Sequence, residues 1–163
     1  MSKELDVQAK IRASVKKDNG YCHKLTNRFT VGIPDLLVAL FPYMPCVLEI
    51  KDLGPVADDF DRQINVTPKQ QYELHGISKV YHEGQHPYTP YRKASGVLVA
   101  LVHQGKHRLV AVHTNMRGFS DVSYRLDAGY VADPTRWVER GVGGYYNLKP
   151  LLEHLGIARI TPM

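Results

Sequence analysis

Two carboxylates and a lysine lie at the ends of two strongly hydrophobic runs of the chain. Residues 32–54 read GIPDLLVALFPYMPCVLEIKDLG, so Asp35 precedes the first run, and Glu49 and Lys51 end the second. Two neighbouring carboxylates repel each other, and Mg²⁺ relieves that repulsion because it binds carboxylate oxygens, waters and phosphate oxygens. A bound metal also lowers the pKa of a coordinated water, and Lys51 could orient or deprotonate that water, or hold a phosphate. These residue types indicate a hydrolytic metal site.

The geometry of this site depends on how the two runs pair as strands. Side chains alternate across a strand, so Glu49 and Lys51 share one face. If FPYMP is a five-residue turn, Leu40 faces Cys46. Asp35 then lies opposite Lys51, on the same face as Glu49. A register slip of one residue would split the group, and Asp35 could then cap a turn beside a solvated pair of Glu49 and Lys51.

The first segment of the chain has the pattern of an amphipathic helix. A helix is predicted over residues 2–17, because Val7, Ile11 and Val15 recur at every fourth position and form one apolar stripe. Glu4 lies three residues before Val7 and joins that stripe. An acid on the inward side of a helix is unusual, so Glu4 either reaches water at an edge or has a function.

A second helix is predicted after the strand that ends in the lysine. The segment TPKQQYELHG, residues 67–76, has Thr67 at the N-cap position, Pro68 at the first helical position and Gly76 just beyond the end. Residues 52–65, between the strand and this helix, are predicted to be a long polar loop.

The remaining segments complete a mixed pattern of helices and strands. We predict strand and turn at 21–31, strands at 36–40 and 46–51, a loop at 83–95, a hairpin of strands 96–102 and 108–114, loops at 115–147 with a short helix near Asp133–Arg140, and a last helix at 147–156. The order α-β-β-β-α-β-β-α predicts an α/β (mixed α+β) fold, with a central mixed β-sheet flanked by helices.

Composition and charge narrow the class of protein. The 163 residues, 44% hydrophobic and 23% charged, suit one globular domain. Two cysteines without CxxC spacing favour buried thiols, and neither HExxH nor GxSxG occurs. No apolar run approaches the roughly 20 residues that cross a membrane, so we expect a soluble, cytoplasmic protein with no membrane partner. The net charge of +5 arises from residues 86–163, with 10 Lys/Arg and 5 Asp/Glu, and is compatible with an anionic partner.

The motif and its neighbours resemble a known nuclease core. GIPDLLV followed by VLEIK resembles the PD-(D/E)xK nuclease superfamily, with Pro34-Asp35 and Glu49-Ile50-Lys51 at the motif positions. The following Thr67-Pro68-Lys69-Gln70 is similar to the Ser/Thr-Pro-Lys-Gln signature of the virus-type replication-repair nuclease (VRR-NUC) branch. Glu4 matches in position the acid that this branch has on its first helix. The resemblance covers residues 4–75 and is to a small, phage-type, stand-alone member.

The resemblance implies a restriction-endonuclease-like core with the element order αβββαβ. It also implies a single nuclease domain, 1–163, with a core motif region at 4–113 and a C-terminal extension at 114–163. The cofactor would be Mg²⁺ or Mn²⁺, and the products would carry a 5′-phosphate and a 3′-hydroxyl. The implied metal-binding residues are Glu4, Asp35, Glu49 and the backbone of Ile50. The implied catalytic residues are Asp35, Glu49, Lys51, which acts on the water, and Gln70, which supports the site or contacts substrate.

A further group of residues is expected to contact nucleic acid. Lys69 lies within the helix signature and can touch phosphate. Tyr91, Arg92 and Lys93 lie in a Pro/His/Tyr-rich loop, where they could stack on bases and hold phosphates, and Arg117 could follow the DNA backbone. The same side chains could equally pack on the domain's own surface or be solvated.

Three functional hypotheses remain open at this point. The first is a metal-dependent DNA endonuclease selective for branched DNA such as a Holliday junction, in the host cytoplasm if phage-encoded. It would act as a homodimer, because cutting both strands of a symmetric junction needs two sites. The second is a restriction-type or repair nuclease on linear or damaged DNA. The third is a non-catalytic nucleic-acid-binding module, against which the presence of Asp35, Glu49 and Lys51 argues.

Overall fold

The helices and strands form a mixed α/β structure, as predicted. The computed structural model describes residues 3–25, 33–70, 72–73, 96–112, 124–155, 157 and 159–160. The helices are α1 (Lys3–Lys17), α2 (helical residues 68–70 and 72–73), α3 (Ala128–Val131) and α4 (Lys149–His154). The strands are β1 (Tyr21–Lys24), β2 (Leu36–Ala39), β3 (Cys46–Pro55), β4 (Asp61–Ile64), β5 (Gly96–Gln104), β6 (Lys106–Val112), β7 (Tyr124–Asp127) and β8 (Trp137–Glu139).

A six-stranded mixed sheet forms the centre of the fold. Its strands lie in the order β1-β2-β3-β5-β6-β8. β3 and β5 run parallel, and the other neighbouring pairs are antiparallel. The path α1-β1-β2-β3-α2-β5 has the predicted αβββαβ order, with β4 between β3 and α2. Parallel strands need a crossover connection, and α2 lies in the crossover between β3 and β5.

The register between β2 and β3 differs from the predicted one by two residues. Val38, and not Leu40, is the partner of Cys46. The turn starts earlier because the Leu40 carbonyl accepts a hydrogen bond from the N–H of Tyr43 at 2.8 Å. The side chains of Leu40 and Tyr43 are both buried, which stabilises this longer turn.

The two-residue shift keeps the acids and the lysine on the predicted face. A slip of two residues restores the alternation of side chains, whereas a slip of one would reverse it. The ladder pairs Leu36 with Leu48, so its continuation by one residue brings Asp35 beside Glu49. The prediction that Asp35 lies opposite Lys51 was therefore wrong, although both residues share one face.

Part of the predicted polar loop at 52–65 is β-structure. β3 continues to Pro55, and β4 pairs with β7 in a separate two-stranded sheet. Phe60 and Ile64 are buried in an apolar cluster with Leu126 of β7. Burial of these side chains stabilises a strand whose other residues are polar and exposed.

The predicted short helix near Asp133–Arg140 is instead a turn followed by a strand. A 3-10 turn at Pro134–Arg136 is capped by Asp133 and leads into β8. β8 pairs with β6, where the Trp137 ring lies 4.0 Å from the guanidinium carbon of Arg108. Pairing with the sheet and this cation–π contact favour the extended strand.

Two apolar clusters lie on the two faces of the six-stranded sheet. α1 packs the predicted stripe of Val7, Ile11 and Val15 on one face, where Tyr146 and the apolar side of α4 join it. The other cluster contains Val110 and Val112 of β6 together with the buried residues of β4 and β7. In the described part of the chain, no helix has the length and apolar character needed to span a membrane.

Candidate active site

The middle of β3 and the start of α2 bring three predicted catalytic side chains together. Glu49 and Lys51 share one face of β3, and Lys51 Nζ lies 3.6 Å from Glu49 Oε1. Gln70 bridges the pair: its Nε2 donates to Glu49 Oε1 at 2.9 Å, and its Oε1 accepts from Lys51 Nζ at 2.9 Å. Glu49 is only 3% exposed, so this network lies largely out of water, where its hydrogen bonds are stronger.

The local sequence of α2 orients the Gln70 amide. Thr67 Oγ1 accepts from the N–H of Gln70 at 3.2 Å, and Gln70 Oε1 accepts from the N–H of Thr67 at 3.0 Å. This reciprocal pair is a capping box, and Pro68 occupies the first helical position, where its missing N–H costs nothing. A glutamine amide both donates and accepts, so Gln70 can serve Glu49 and Lys51 at once.

Asp35 stands at the start of β2, and its carboxyl reaches the neighbouring strand. Asp35 Oδ2 accepts from the N–H of Ile50 at 2.8 Å, and the Asp35 carbonyl accepts from the N–H of Leu25 at 2.9 Å. Burial raises the pKa of Asp35, the bond from Ile50 opposes that rise, and the charge of Glu4 adds to it. The Ile50 backbone thus contacts Asp35 through its N–H, while its expected role as a metal ligand remains a prediction.

Glu49 is held in a form that resists ionisation. Burial first, and then the charge of Asp35, raise the pKa of Glu49 to about 7 against the opposing charge of Lys51. Because desolvation and the second acid outweigh the lysine, proton loss at neutral pH leaves a poorly compensated negative charge. A cation that replaces the proton would relieve this cost.

Glu4 of α1 also interacts electrostatically with these two acids. Its Oε1 accepts from the N–H of Asp52 at 3.1 Å. This hydrogen bond connects α1 to β3. The charge of Glu4 raises the pKa of both Asp35 and Glu49. The position agrees with an outer acid of the site, and its binding to metal remains a prediction.

Two polar residues near the site, Asp52 of β3 and His103 of β5, were not identified from the sequence. Asp52 Oδ1 accepts from the N–H of Gly54 at 2.8 Å and lies 3.2 Å from His103 Nε2. Both side chains are largely buried, and Gly54 has a positive φ of 69°. The DLG sequence could have indicated the turn, because Asp bonds to a backbone N–H two residues on. Nothing local pointed to His103, which comes from a neighbouring strand.

The donor set fits a hard divalent cation. Among the described residues, the hydrogen bonds of the two inner acids use Asp35 Oδ2 and Glu49 Oε1, which leaves Asp35 Oδ1 and Glu49 Oε2 for a ligand. No cluster of three His, Cys, Asp or Glu side chains that could hold a metal occurs in the described residues. Mg²⁺ needs no such cage, since one or two carboxylates, waters and substrate phosphate complete its coordination.

Of the candidate nucleic-acid contacts, Lys69 is the one that lies within the described residues. Lys69 Nζ lies 3.6 Å from Glu73 and 5.7 Å from the centre of the Tyr72 ring. Its ammonium therefore already contacts an acid and an aromatic ring on the surface of α2. Tyr91, Arg92, Lys93 and Arg117 lie outside the described residues. Their roles remain predictions.

Comparison with solved structures finds a structural similarity. No family model and no curated protein matches the chain. Among solved structures, the chain is similar to the Holliday junction resolvase Hjc of the archaeal hyperthermophile Archaeoglobus fulgidus, with a TM-score of 0.48 and 8% sequence identity. The match covers 79% of this chain and 87% of that chain. At that TM-score the similarity by itself assigns neither a family nor a function.

Proposed function

We propose that this protein is a divalent-metal-dependent endonuclease that hydrolyses phosphodiester bonds in DNA, and that it prefers branched DNA. The observation that carries the proposal is the convergence of Asp35, Glu49, Lys51 and Gln70 beside the middle of β3. Glu4 lies at the edge of this group. A buried carboxylate that repels a half-buried one beside a lysine is costly for a structural core, and cation and phosphate binding would compensate for that cost. The motif resemblance to PD-(D/E)xK nucleases of the VRR-NUC branch supports the same reading.

Asp35 and Glu49 would hold Mg²⁺ or Mn²⁺. When bound, the ion supplies a more acidic water and neutralises charge on the phosphate. Glu49 would exchange its proton for the cation, since burial and the charge of Asp35 raise the pKa of Glu49 to about 7. Asp35 is fixed by the N–H of Ile50, so its remaining oxygen is oriented before the ion arrives.

Lys51 is the residue that would act on the attacking water or on the scissile phosphate. Its ammonium is held 2.9 Å from Gln70 Oε1 and 3.6 Å from Glu49, so it enters the site in a restrained geometry. Gln70 is a positioning residue in this account, because its amide aligns the acid and the lysine. Such preorganised charge is the main source of rate enhancement in phosphoryl transfer.

The preference for branched DNA carries a requirement for two active sites. A single chain offers one such site, and symmetric cutting of a junction needs a second copy related by a two-fold axis. We therefore propose a homodimer on the junction. Sedimentation velocity with and without a four-way junction tests this part, and a monomer that stays monomeric on the junction would oppose it.

The test of the proposed activity is cleavage of a panel of labelled DNAs. Four-way junction, flap, single-stranded and linear duplex DNA are each incubated with Mg²⁺, with Mn²⁺ or with EDTA. We expect metal-dependent cutting that leaves a 5′-phosphate and is most efficient on the junction. Preference for the linear duplex would identify a restriction-type or repair nuclease instead. Tight DNA binding without cutting under any metal would identify a binding module and overturn the proposal.

A further inference from the structure

The outer edge of the six-stranded sheet carries a groove. β1 is the terminal strand of the sheet, and it is only four residues long. A groove of about 390 Å³ runs between α1 and β1, where Arg12 and Lys16 of α1 meet Tyr21 of β1. We name Arg12, Lys16, Tyr21, His23 and Lys24 the β1 edge surface.

The cations of the β1 edge surface are not neutralised within the described structure. Arg12, Lys16 and Lys24 are exposed, and none of them forms an ion pair with another described residue. Four exposed cations elsewhere are paired with acids: Lys69 with Glu73, Lys106 with Glu139, Arg125 with Asp61 and Arg159 with Glu153. The groove lining contains no acidic residue. The surface is therefore complementary to a polyanion.

Two exposed rings lie on the same strand. The rings of Tyr21 and His23 are stacked, with centroids 6.3 Å apart and planes at 10°. Tyr21 is 58% exposed, which leaves a face of a large aromatic ring in contact with water. Proteins that bind single-stranded nucleic acid combine exposed aromatic rings with cations, because bases stack on the rings while phosphates contact the cations.

The β1 edge surface adjoins the candidate active site. Tyr21 and His23 pair with Ala39 and Leu37 of β2, and paired residues project from the same face of a sheet. Leu37 lies two residues after Asp35, so the rings share the face that carries Asp35. The N–H of Leu25, directly after Lys24, donates to the Asp35 carbonyl at 2.9 Å. A strand of DNA on this edge therefore leads to the acids.

We propose that the β1 edge surface binds an unpaired strand of the DNA substrate, with a base stacked on the Tyr21–His23 pair and the backbone held by Arg12, Lys16 and Lys24. This inference rests on the proposed function and names the part of the substrate that the edge takes. A junction with frayed arms, a flap and a single strand all present such a segment, whereas a closed linear duplex does not. The edge thus gives a physical reason for preferring DNA with an unpaired segment over a closed linear duplex.

The charge contribution is tested by binding in EDTA, where no cutting occurs. The Arg12→Ala/Lys16→Ala protein should bind a fluorescent single strand about 10-fold more weakly near 100 mM salt, and its slope of log affinity against log salt should fall by about 1.4. Arg62→Ala/Lys149→Ala is the matched control, since it removes two exposed cations outside the groove. An equal loss in both double variants would overturn the inference.

The ring contribution is tested by a conservative series at one position. Tyr21→Leu keeps an apolar side chain without a π-face and should weaken single-strand binding about 5-fold or more, whereas Tyr21→Phe should restore it to within about 2-fold. Circular dichroism and unfolding curves confirm that each variant is folded. Wild-type affinity in the leucine variant, with a folded protein, would contradict the stacking role.

Failure of this inference and failure of the proposed function give different results. If the wild-type chain binds no DNA at all, the proposed function fails. If it binds and cuts branched DNA while the β1 edge variants behave as wild type, the edge inference alone fails. If the edge variants change only the sedimentation coefficient, the edge is an interface between two copies of the chain, and the inference is wrong.

Discussion

Glu49 bears most of the electrostatic cost of this site, which comes from burying one carboxyl next to another. Its carboxyl is buried beside Asp35, and its pKa is raised from 4.5 to about 7. A carboxyl with a higher pKa in the folded chain than in the unfolded chain holds its proton longer when folded. Between about pH 4.5 and 7 the folded protein therefore binds more protons, and its free energy of unfolding falls as pH rises through this window.

Replacing Glu49 by glutamine should remove this pH dependence. Without metal, at pH 8, Glu49→Gln is expected to raise the free energy of unfolding by about 2 kcal/mol, because no buried carboxylate has to ionise. The same variant should lose DNA cleavage. Urea unfolding in EDTA between pH 4 and 8 measures the first effect. Glu153→Gln is the control: Arg159 lowers the pKa of this exposed acid, so its variant should keep the wild-type decline.

The competition between proton and cation at Glu49 gives a second readout. Mg²⁺ should raise the melting temperature of the wild-type protein more at pH 8 than at pH 6, because the proton occupies the same carboxyl at the lower pH. Glu49→Gln should show no shift specific to Mg²⁺. Equal shifts at both pH values, or a shift retained in the variant, would place the cation elsewhere.

At the scale of elements, α2 links its own capping to the chemistry of the site. Thr67 and Gln70 cap the helix, while Gln70 also bridges Glu49 and Lys51. The two functions can be separated because glutamate also completes a capping box. It cannot donate to Glu49, and it adds a further negative charge.

Two variants of α2 should therefore behave in opposite ways. Thr67→Ala loses the cap and should lower the free energy of unfolding by about 1 kcal/mol, with little change in cleavage rate. Gln70→Glu keeps the cap but places a second carboxylate against Glu49, so it should lower the cleavage rate at least about 10-fold. Urea unfolding and single-turnover cleavage measure the two effects. Reduced stability with full cleavage in Gln70→Glu would contradict the positioning role.

The buried faces of the strands and of α1 were predictable from the sequence, whereas the strand register and β4 were not. The faces of β2 and β3 were predictable because side chains alternate with period two, and the α1 stripe because Val7, Ile11 and Val15 repeat with helical period. The register was not, since the turn after Val38 depends on burial of Leu40 and Tyr43 in a core that other segments complete. β4 escaped prediction because only Ile64 in it is buried, and its partner β7 is distant in sequence.

The candidate site was predictable only in part, for the same physical reason. Asp35, Glu49, Lys51 and Gln70 could be assigned because each lies within a local motif. The contact of Glu4 with Asp52, and of Asp52 with His103, joins elements far apart in sequence. No local pattern encodes such contacts. They appear only when the sheet and α1 are assembled.

At the scale of the whole molecule, the C-terminal segment closes the core beside α1. Tyr146 is fully buried, and its N–H donates to Ser14 Oγ of α1 at 2.9 Å. Leu148, Leu151 and Leu152 join the same apolar cluster. The C-terminal segment therefore packs directly on α1, the helix that carries Glu4. Substitutions that disrupt this packing should also displace Glu4 at the site.

Tyr146 allows this coupling to be measured. Tyr146→Ala should lower the free energy of unfolding by about 4 kcal/mol through a large cavity. Tyr146→Phe should be neutral or stabilising, because the buried hydroxyl has no hydrogen-bond partner among the described residues. Equilibrium urea unfolding compares the two. A large loss in the phenylalanine variant would show that the hydroxyl is satisfied and would contradict this packing account.

The measurement that tests the central claim most directly is single-turnover cleavage of a labelled four-way junction by the wild-type chain and by Lys51→Ala. We expect Mg²⁺-dependent cutting by the wild type and a loss of at least about 100-fold in the variant, with junction binding in EDTA largely retained. Arg125→Ala, which changes an exposed cation on β7 paired with Asp61, should cut at the wild-type rate. Equal cutting by the wild type and Lys51→Ala, or cutting that persists in EDTA, would contradict the account.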